Sequence, residues 1–300
     1  MYTLIKRHPI RLCLLLAWLI LLFSLPNTIE LVSGYGSFAA LGITGAIFAN
    51  ATGAGGGVVF VPFFNHLGFS ATTIVATSFA IQCCGMTAGA VTWYRYYRDF
   101  QQTSADWQML AKVLTITVPT SWLGIGIVQY AEFRDWFNLH ASGVDQLHLW
   151  FGVFSVLLAI AIYASIPLLK RKVFSQHLLH FDSVMLAITG VAGGAITAWL
   201  SVGVGELVAV YLIIRGFNVT FAIAVAVILS ALTVWSAIGY HIFATEAVYW
   251  PVVLFAGAGA VVGGIIAKRV VLMFSATKLK VFFATWVLIL GLSGLPSVLS

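Results

Sequence analysis

Charge is what this chain of 300 residues has least of: Asp, Glu, Lys and Arg make up 8%, where a soluble domain carries about 25%. That scarcity excludes a solvated globular domain. Cysteine is almost as rare. Cys13, Cys83 and Cys84 all lie in apolar segments, and the adjacent pair would point different ways on a helix. A disulfide framework is therefore excluded, and the three read as small core hydrophobes. No ATP-binding loop is present, so a primary pump on this chain alone is not expected. H-E-x-x-H and G-x-S-x-G are absent, as is any acid pair or any His near a nucleophile within the apolar segments, and Ser201 near Glu206 lacks a base. An enzyme is not expected, nor any cofactor or metal.

What remains is apolar. Hydrophobic residues make up 61% of the chain, and segments of membrane-spanning length recur at about 10–25, 37–66, 73–94, 107–130, 147–169, 182–214, 219–241, 249–267 and 279–298. This is a polytopic all-α membrane protein with the lipid bilayer as its solvent. The net charge of +6 sits in short loops and at segment ends, the distribution of positive-inside topology and not of a nucleic-acid surface. "KRHPIRLCLLLAWLILLF" at the N-terminus has the basic flank of a signal peptide, but no small-residue cleavage site follows Phe23, so it is expected to stay as a first helix. His66 and His241 fall at segment ends, while His177 and His180 stand at i, i+3 without further ligands. All four read as interface residues. The tryptophans and tyrosines read as interfacial belts and core.

Self-similarity organises the rest. "LGITGAIFANATG" from Leu41 matches "LAITGVAGGAITA" from Leu186 at an offset of 145, and after a three-residue insertion "GGG" at Gly55 to Gly57 falls on "GVG" at Gly203 to Gly205, offset 148. "LGFSATTIVATS" from Leu67 then falls on "RGFNVTFAIAVA" from Arg215 at that same offset. The chain thus divides into an extra N-terminal transmembrane helix (1–34), a first repeat (35–169), a cytoplasmic linker (170–181) and a second repeat (182–300). Each repeat opens on about 30 apolar residues, which as one helix would run about 45 Å against a hydrocarbon core of about 30 Å. The alternative is a hairpin of two arms of about 14 residues each, turning at the glycines. With hairpins in both repeats, 14 of the 15 basic residues lie on one side and only Arg134 on the other; single spans give nine. Positive-inside topology favours two hairpins and a cytoplasmic N-terminus. Each repeat then crosses an odd number of times, so the two are inverted, each a broken helix pair plus three transmembrane helices. Inverted repeats with broken helices meeting near the midplane are an architecture of secondary transporters.

"GAGGGVVFVPFFNHLGFSATTIVATS", from Gly53 to Ser78, resembles the signature of the TauE/SafE sulfite exporter family (TSUP), and "SVGVGELVAVYLIIRGF" from Ser201 resembles the family's second copy. The resemblance covers roughly residues 35–298. It implies a secondary transporter of the bacterial inner membrane that exports or takes up sulfite, organosulfonates or related small carboxylates. The second copy departs from the pattern: it has Gly203 and Gly205 with Glu206 directly after them, Val210 in place of a proline, and "AVA" at 224–226 in place of the "ATS" of Ala76 to Ser78. These departures fall on the recognition elements.

Chemically, the first break is a candidate anion site. A helix restarting near Gly55 presents unpaired amides and the positive end of its dipole. Gly53, Gly55, Gly56 and Gly57 let an oxyanion approach the backbone, and Asn50, Thr52, Thr77, Ser78 and Gln82 add uncharged donors. Ser201, Gly203 and Gly205 supply the second break. Glycines that merely let helices pack closely are the competing reading, which suits Gly85 with Gly89 and Gly259 with Gly263. Glu206 is the one acid placed mid-membrane, where a carboxylate is costly and so functional by default. It is read as the carrier of a coupling proton, with two alternatives open: a cap on its own half-helix, or a residue facing a water-filled vestibule. A non-transporting membrane scaffold and a homodimer also remain open.

Overall fold

The structure is a computed structural model that describes residues 9–130, 144–167 and 178–294. These residues form helices and connecting turns, with no strand among them. In chain order they are α1 (Pro9–Ser24), α2 (Thr28–Tyr35), α3 (Phe38–Thr52), α4 (Gly57–His66), α5 (Ala71–Tyr96), α6 (Ala105–Gln108), α7 (Leu110–Tyr130), α8 (Val144–Ser165), α9 (His180–Leu200), α10 (Val204–Ile214), α11 (Val219–Phe243), α12 (Trp250–Met273) and α13 (Ala276–Gly294). A π-helical turn, Tyr97–Gln101, extends α5. Five helices among the described residues are long and apolar enough to cross a membrane, or six if α1 and α2, bent by 115°, count as one span. His177, Arg134 and residues 170–177 of the linker lie outside the described residues.

Both long apolar segments break where the glycines stand. α3 stops at Thr52 and α4 starts at Gly57; α9 stops at Leu200 and α10 starts at Val204. The residue closing the first arm is left-handed in each case, Gly53 at φ 79° and Ser201 at φ 60°. Left-handed backbone is free for glycine but strained for serine. The chain then doubles back. Phe38, at the start of α3, packs on Phe63 and Phe64 at the end of α4, with ring centroids 6.2 and 6.3 Å apart. In the second segment Asp182 of α9 takes Arg215, at the end of α10, on both carboxylate oxygens, and also accepts from the Tyr211 hydroxyl at 2.6 Å and the Leu179 N–H at 2.9 Å. The arms are not the equal pairs that length arithmetic predicts. They have 15 and 10 residues in the first hairpin and 21 and 11 in the second.

The feet of the two hairpins lie at opposite ends of α5. Phe69, just before α5, stacks on Phe64 at 5.5 Å and meets Tyr249 at 5.2 Å. At the far end Tyr97 stacks on Trp107, which packs edge-on to Phe221, six residues beyond Arg215. Lys268 stands over the ring of Tyr96 at that same end, so basic residues from distant parts of the chain gather there.

Most helix pairs correspond when residues 35–169 and 182–300 are exchanged, although α3 also meets α5 and α11 with no comparable contact of α9 to α11 or α5. α3 packs on α12 as α9 packs on α7; α5 meets α12 as α11 meets α7; α4 touches α13 as α10 touches α8; α5 pairs with α11, and α8 with α13. The tightest of these contacts rest on small residues. A side chain at Gly42, Gly259 or Gly263 would strike the facing backbone of the α3–α12 pair, and one at Gly124 or Gly194 that of the α7–α9 pair. In lipid, where apolar surface gains nothing by leaving the solvent, such close backbone approach is what holds helices together.

The Asp182–Arg215 clamp gives a stability prediction. Asp182 is fully buried and Arg215 partly so, so Arg215→Met strands a carboxylate in the interior. It should cost about 2–3 kcal/mol, below the full penalty for a completely buried pair. A lower thermal unfolding midpoint in detergent would register it.

Candidate functional site

The two breaks touch. A Cβ on Gly57 would collide with the Ser201 carbonyl, and one on Gly205 with the Gly53 carbonyl. These two glycines are needed because the backbones of turns about 148 residues apart in sequence lie against each other.

Glu206 joins them. Its side chain leaves the first turn of α10, and Oε1 accepts the Gly55 N–H of the first break at 2.8 Å while Oε2 accepts the Gly203 N–H of its own break at 2.9 Å. The residue is 2% exposed. Cap and cross-link are therefore the same contact: the capping geometry anticipated within its own half-helix is present, and a second bond reaches the other half of the chain. Both oxygens act as acceptors at a helix start, where the dipole favours negative charge.

A second set of bonds runs beside it. Gln82 of α5 accepts the Gly56 N–H on Oε1 at 2.8 Å, and its Nε2 donates to the Ser201 Oγ at 2.8 Å, the Ser201 carbonyl at 3.1 Å and the Ser78 Oγ at 3.1 Å. Ser201 Oγ donates to Ser78 at 3.0 Å. Both serines are fully buried. Thr52 closes the first turn, accepting from the Ala54 N–H at 3.2 Å and donating to the Phe48 carbonyl at 2.7 Å. Of the residues expected here, Thr52, Gly53, Gly55, Gly56, Gly57, Ser78, Gln82, Ser201, Gly203, Gly205 and Glu206 come together at the breaks. Asn50 and Thr77 do not join this network. Asn50 Nδ2 donates to the Ala46 carbonyl and, at 3.4 Å, to that of Gly85, with Oδ1 left unpaired against Gly89. Thr77 accepts the Tyr249 N–H at the start of α12.

Two residues escaped the sequence reading. Thr197 accepts the Val204 N–H at 2.9 Å, capping α10 from one turn before the break. Ser230 stands against Gly205, 3% exposed, with its hydroxyl unpaired. The repeat offset of 148 places Ser230 on Gln82 and was signal enough to find it. The offset of 145 likewise places Thr197 on Thr52.

Elsewhere the expectations divide. His66 and His180 are exposed as interface residues should be, but His241 is 5% exposed. It stacks on Phe79 at 5.1 Å and lies 3.4 Å from Gln129 Nε2. The side of the last turn of α11 that carries His241 packs on α5 and α7, while Phe243 of the same turn is exposed. Among the cysteines Cys83 is buried, Cys84 half-buried and Cys13 exposed on α1. Of Gly85 and Gly89, the second is a close approach to a side chain, Asn50, and not to a helix backbone. A cavity of about 530 Å³ runs between α3, α12 and α13, with apolar walls and Lys278, and includes Thr52 next to the first break.

The chain matches the family model described as "Sulfite exporter TauE/SafE" over residues 38–294. It belongs to the TauE/SafE sulfite exporter family. No curated protein and no solved structure matches it. Membership makes this a multi-pass membrane transporter of a small anion and not an enzyme. The match begins at Phe38, the first residue of α3, so α1 and α2 lie before the TauE/SafE core. That core contains both breaks.

Gln82→Ala would leave the Gly56 N–H without its partner in a dry interior. A loss of about 1–3 kcal/mol is expected from one such orphaned group, read as thermal stability in detergent.

Proposed function

We propose that the chain is a secondary transporter, an exporter, of sulfite, organosulfonates or related small carboxylates, with the substrate held at the paired breaks near the bilayer midplane. The observation that supports this most directly is the Glu206 carboxylate on the Gly55 and Gly203 amides. A carboxylate is itself a small oxyanion, and its seat there is favourable chemistry for an oxyanion at these helix starts. The remaining donors, Gln82, Ser78 and Ser201, are uncharged. Such a site binds moderately and releases, as transport requires. Asn50 and Thr77, tied elsewhere in this arrangement, stay in the proposed set as residues that a rearranged site would recruit.

In this reading the repeats span 35–169 and 182–300 and are inverted, joined by the linker 170–181 and preceded by an extra segment, 1–34. The exchange symmetry of the helix pairs and the placement of the hairpin feet at opposite ends of α5 support it. The end that gathers Lys268 and Arg215 is cytoplasmic by the positive-inside rule, which puts the N-terminus inside a bacterial inner membrane. Glu206 couples transport to protons, because it is the only acid among the described residues at the breaks.

Flux into proteoliposomes tests the proposal. Saturable transport of sulfite, an organosulfonate or a small carboxylate is expected, accelerated by a proton gradient, and Glu206→Gln should lose that acceleration while retaining protein in the membrane. No flux of any of these anions under any ion gradient would refute it.

A further inference from the structure

The charge available at the breaks is small and can be counted. Two half-helices, α4 of 10 residues and α10 of 11, begin there and α3 and α9 end there, so the partial charges of the helix ends, about half a positive charge at each start and about half a negative one at each end, come close to cancelling. Among the described residues no Lys or Arg side chain joins them: the polar groups at the breaks are Gln82, Ser78, Ser201, Thr52, Thr197 and Ser230. The one acidic group among them is Glu206, so the breaks as they stand are built around one negative charge. The unpaired, buried hydroxyl of Ser230 beside Gly205 is a further donor that no protein group uses.

From this balance we infer that the Glu206 carboxylate is a tethered occupant of the anion site, and that the carried anion is monovalent and replaces it together with one proton. The inference rests on the reading of the breaks as the substrate site. A monoanion entering beside an ionised Glu206 would set two negative charges side by side in a water-poor space, where repulsion is poorly screened. If Glu206 first takes a proton from the water on the open side, it gives up the Gly55 N–H, and the anion takes over that amide with the site's charge unchanged. On the other face the anion leaves, the proton returns to water, and the carboxylate closes on Gly55 again. One negative charge and one proton move together, so each cycle is electroneutral. A dianion leaves an uncompensated charge even with Glu206 protonated, so sulfite would travel in its hydrogen form.

The Glu206 carboxylate is held by the Gly55 and Gly203 amides. Among the described side chains on the elements around the breaks, the titratable ones are Cys83 and Cys84 of α5, directly after Gln82, with Tyr94, Arg95 and Tyr96 at its far end; His66 at the far end of α4; Asp182 and His180 at the far end of α9; His241 and Tyr240 at the far end of α11; and Tyr163 of α8. On α10 itself Tyr211, and at its end Arg215, are held by Asp182.

Purified wild-type protein in weakly buffered detergent solution, titrated with methanesulfonate, acetate and hydrogen sulfite as monovalent probes and with sulfate as the divalent one, provides the test. One proton should be taken up per monovalent anion bound, the apparent Kd should rise about tenfold per pH unit where Glu206 is ionised, and sulfate should not compete. Glu206→Gln should bind the same monovalent anions with no proton uptake and no pH dependence. Anion binding by the wild type without proton uptake, or sulfate binding as tight as the monovalent probes, would overturn the inference and leave the site standing. Binding of no anion at all would overturn both.

Discussion

A helix cannot be interrupted inside a bilayer unless something other than water takes the amides that the interruption frees. Here two interruptions are set against each other and one carboxylate serves both. Its position on Gly55 and Gly203 requires that the turns touch, which requires Gly57 and Gly205 at the crossing, and it requires each hairpin to be clamped at its own end of the molecule. The aromatic contacts of Phe38 and the ion pair of Asp182 do that clamping. Around this contact the structure is mostly close-packed small residues and aliphatic surface.

The frame is nearly symmetric and the site is not. Most helix pairs correspond under exchange of residues 35–169 and 182–300, and small residues line both the α3–α12 and the α7–α9 contacts. At the breaks the correspondence fails position by position: Glu206 answers to Val58, Ser230 to Gln82, Ala226 to Ser78 and Ser201 to Gly53. In the transport reading proposed above, such a frame would let two halves exchange roles as access alternates. With only one of the paired positions acidic, the breaks avoid two like charges facing each other.

Much of this was readable along the chain. Composition establishes the bilayer, the 148-residue offset is the basis for reading two copies, and the excess length of the segments at 37–66 and 182–214 together with the placement of Lys and Arg calls for hairpins. The acid at 206 is conspicuous because no other Asp or Glu stands mid-segment. Less legible were the unequal arms, which equal division of an apolar segment does not foresee, and the burial of His241, which depends on α5 and α7 packing over that side of α11. The roles of Thr197 and Ser230 depend on which backbone groups a turn leaves open, a matter of three-dimensional conformation.

The glycine cluster from Gly53 to Gly57 and its partner at Ser201 to Glu206 show where the division lies. Local chemistry alone dictates that such a run breaks a helix, and charge placement dictates that the break turns back. Which donors fill the freed amides is a tertiary question, because Glu206 and Gln82 reach Gly55 and Gly56 from helices 151 and 26 residues away in the chain. Sequence determined that two breaks exist and that one carries an acid. Only the fold brought that acid to the other break, because only packing decides which distant backbones come within the length of a hydrogen bond.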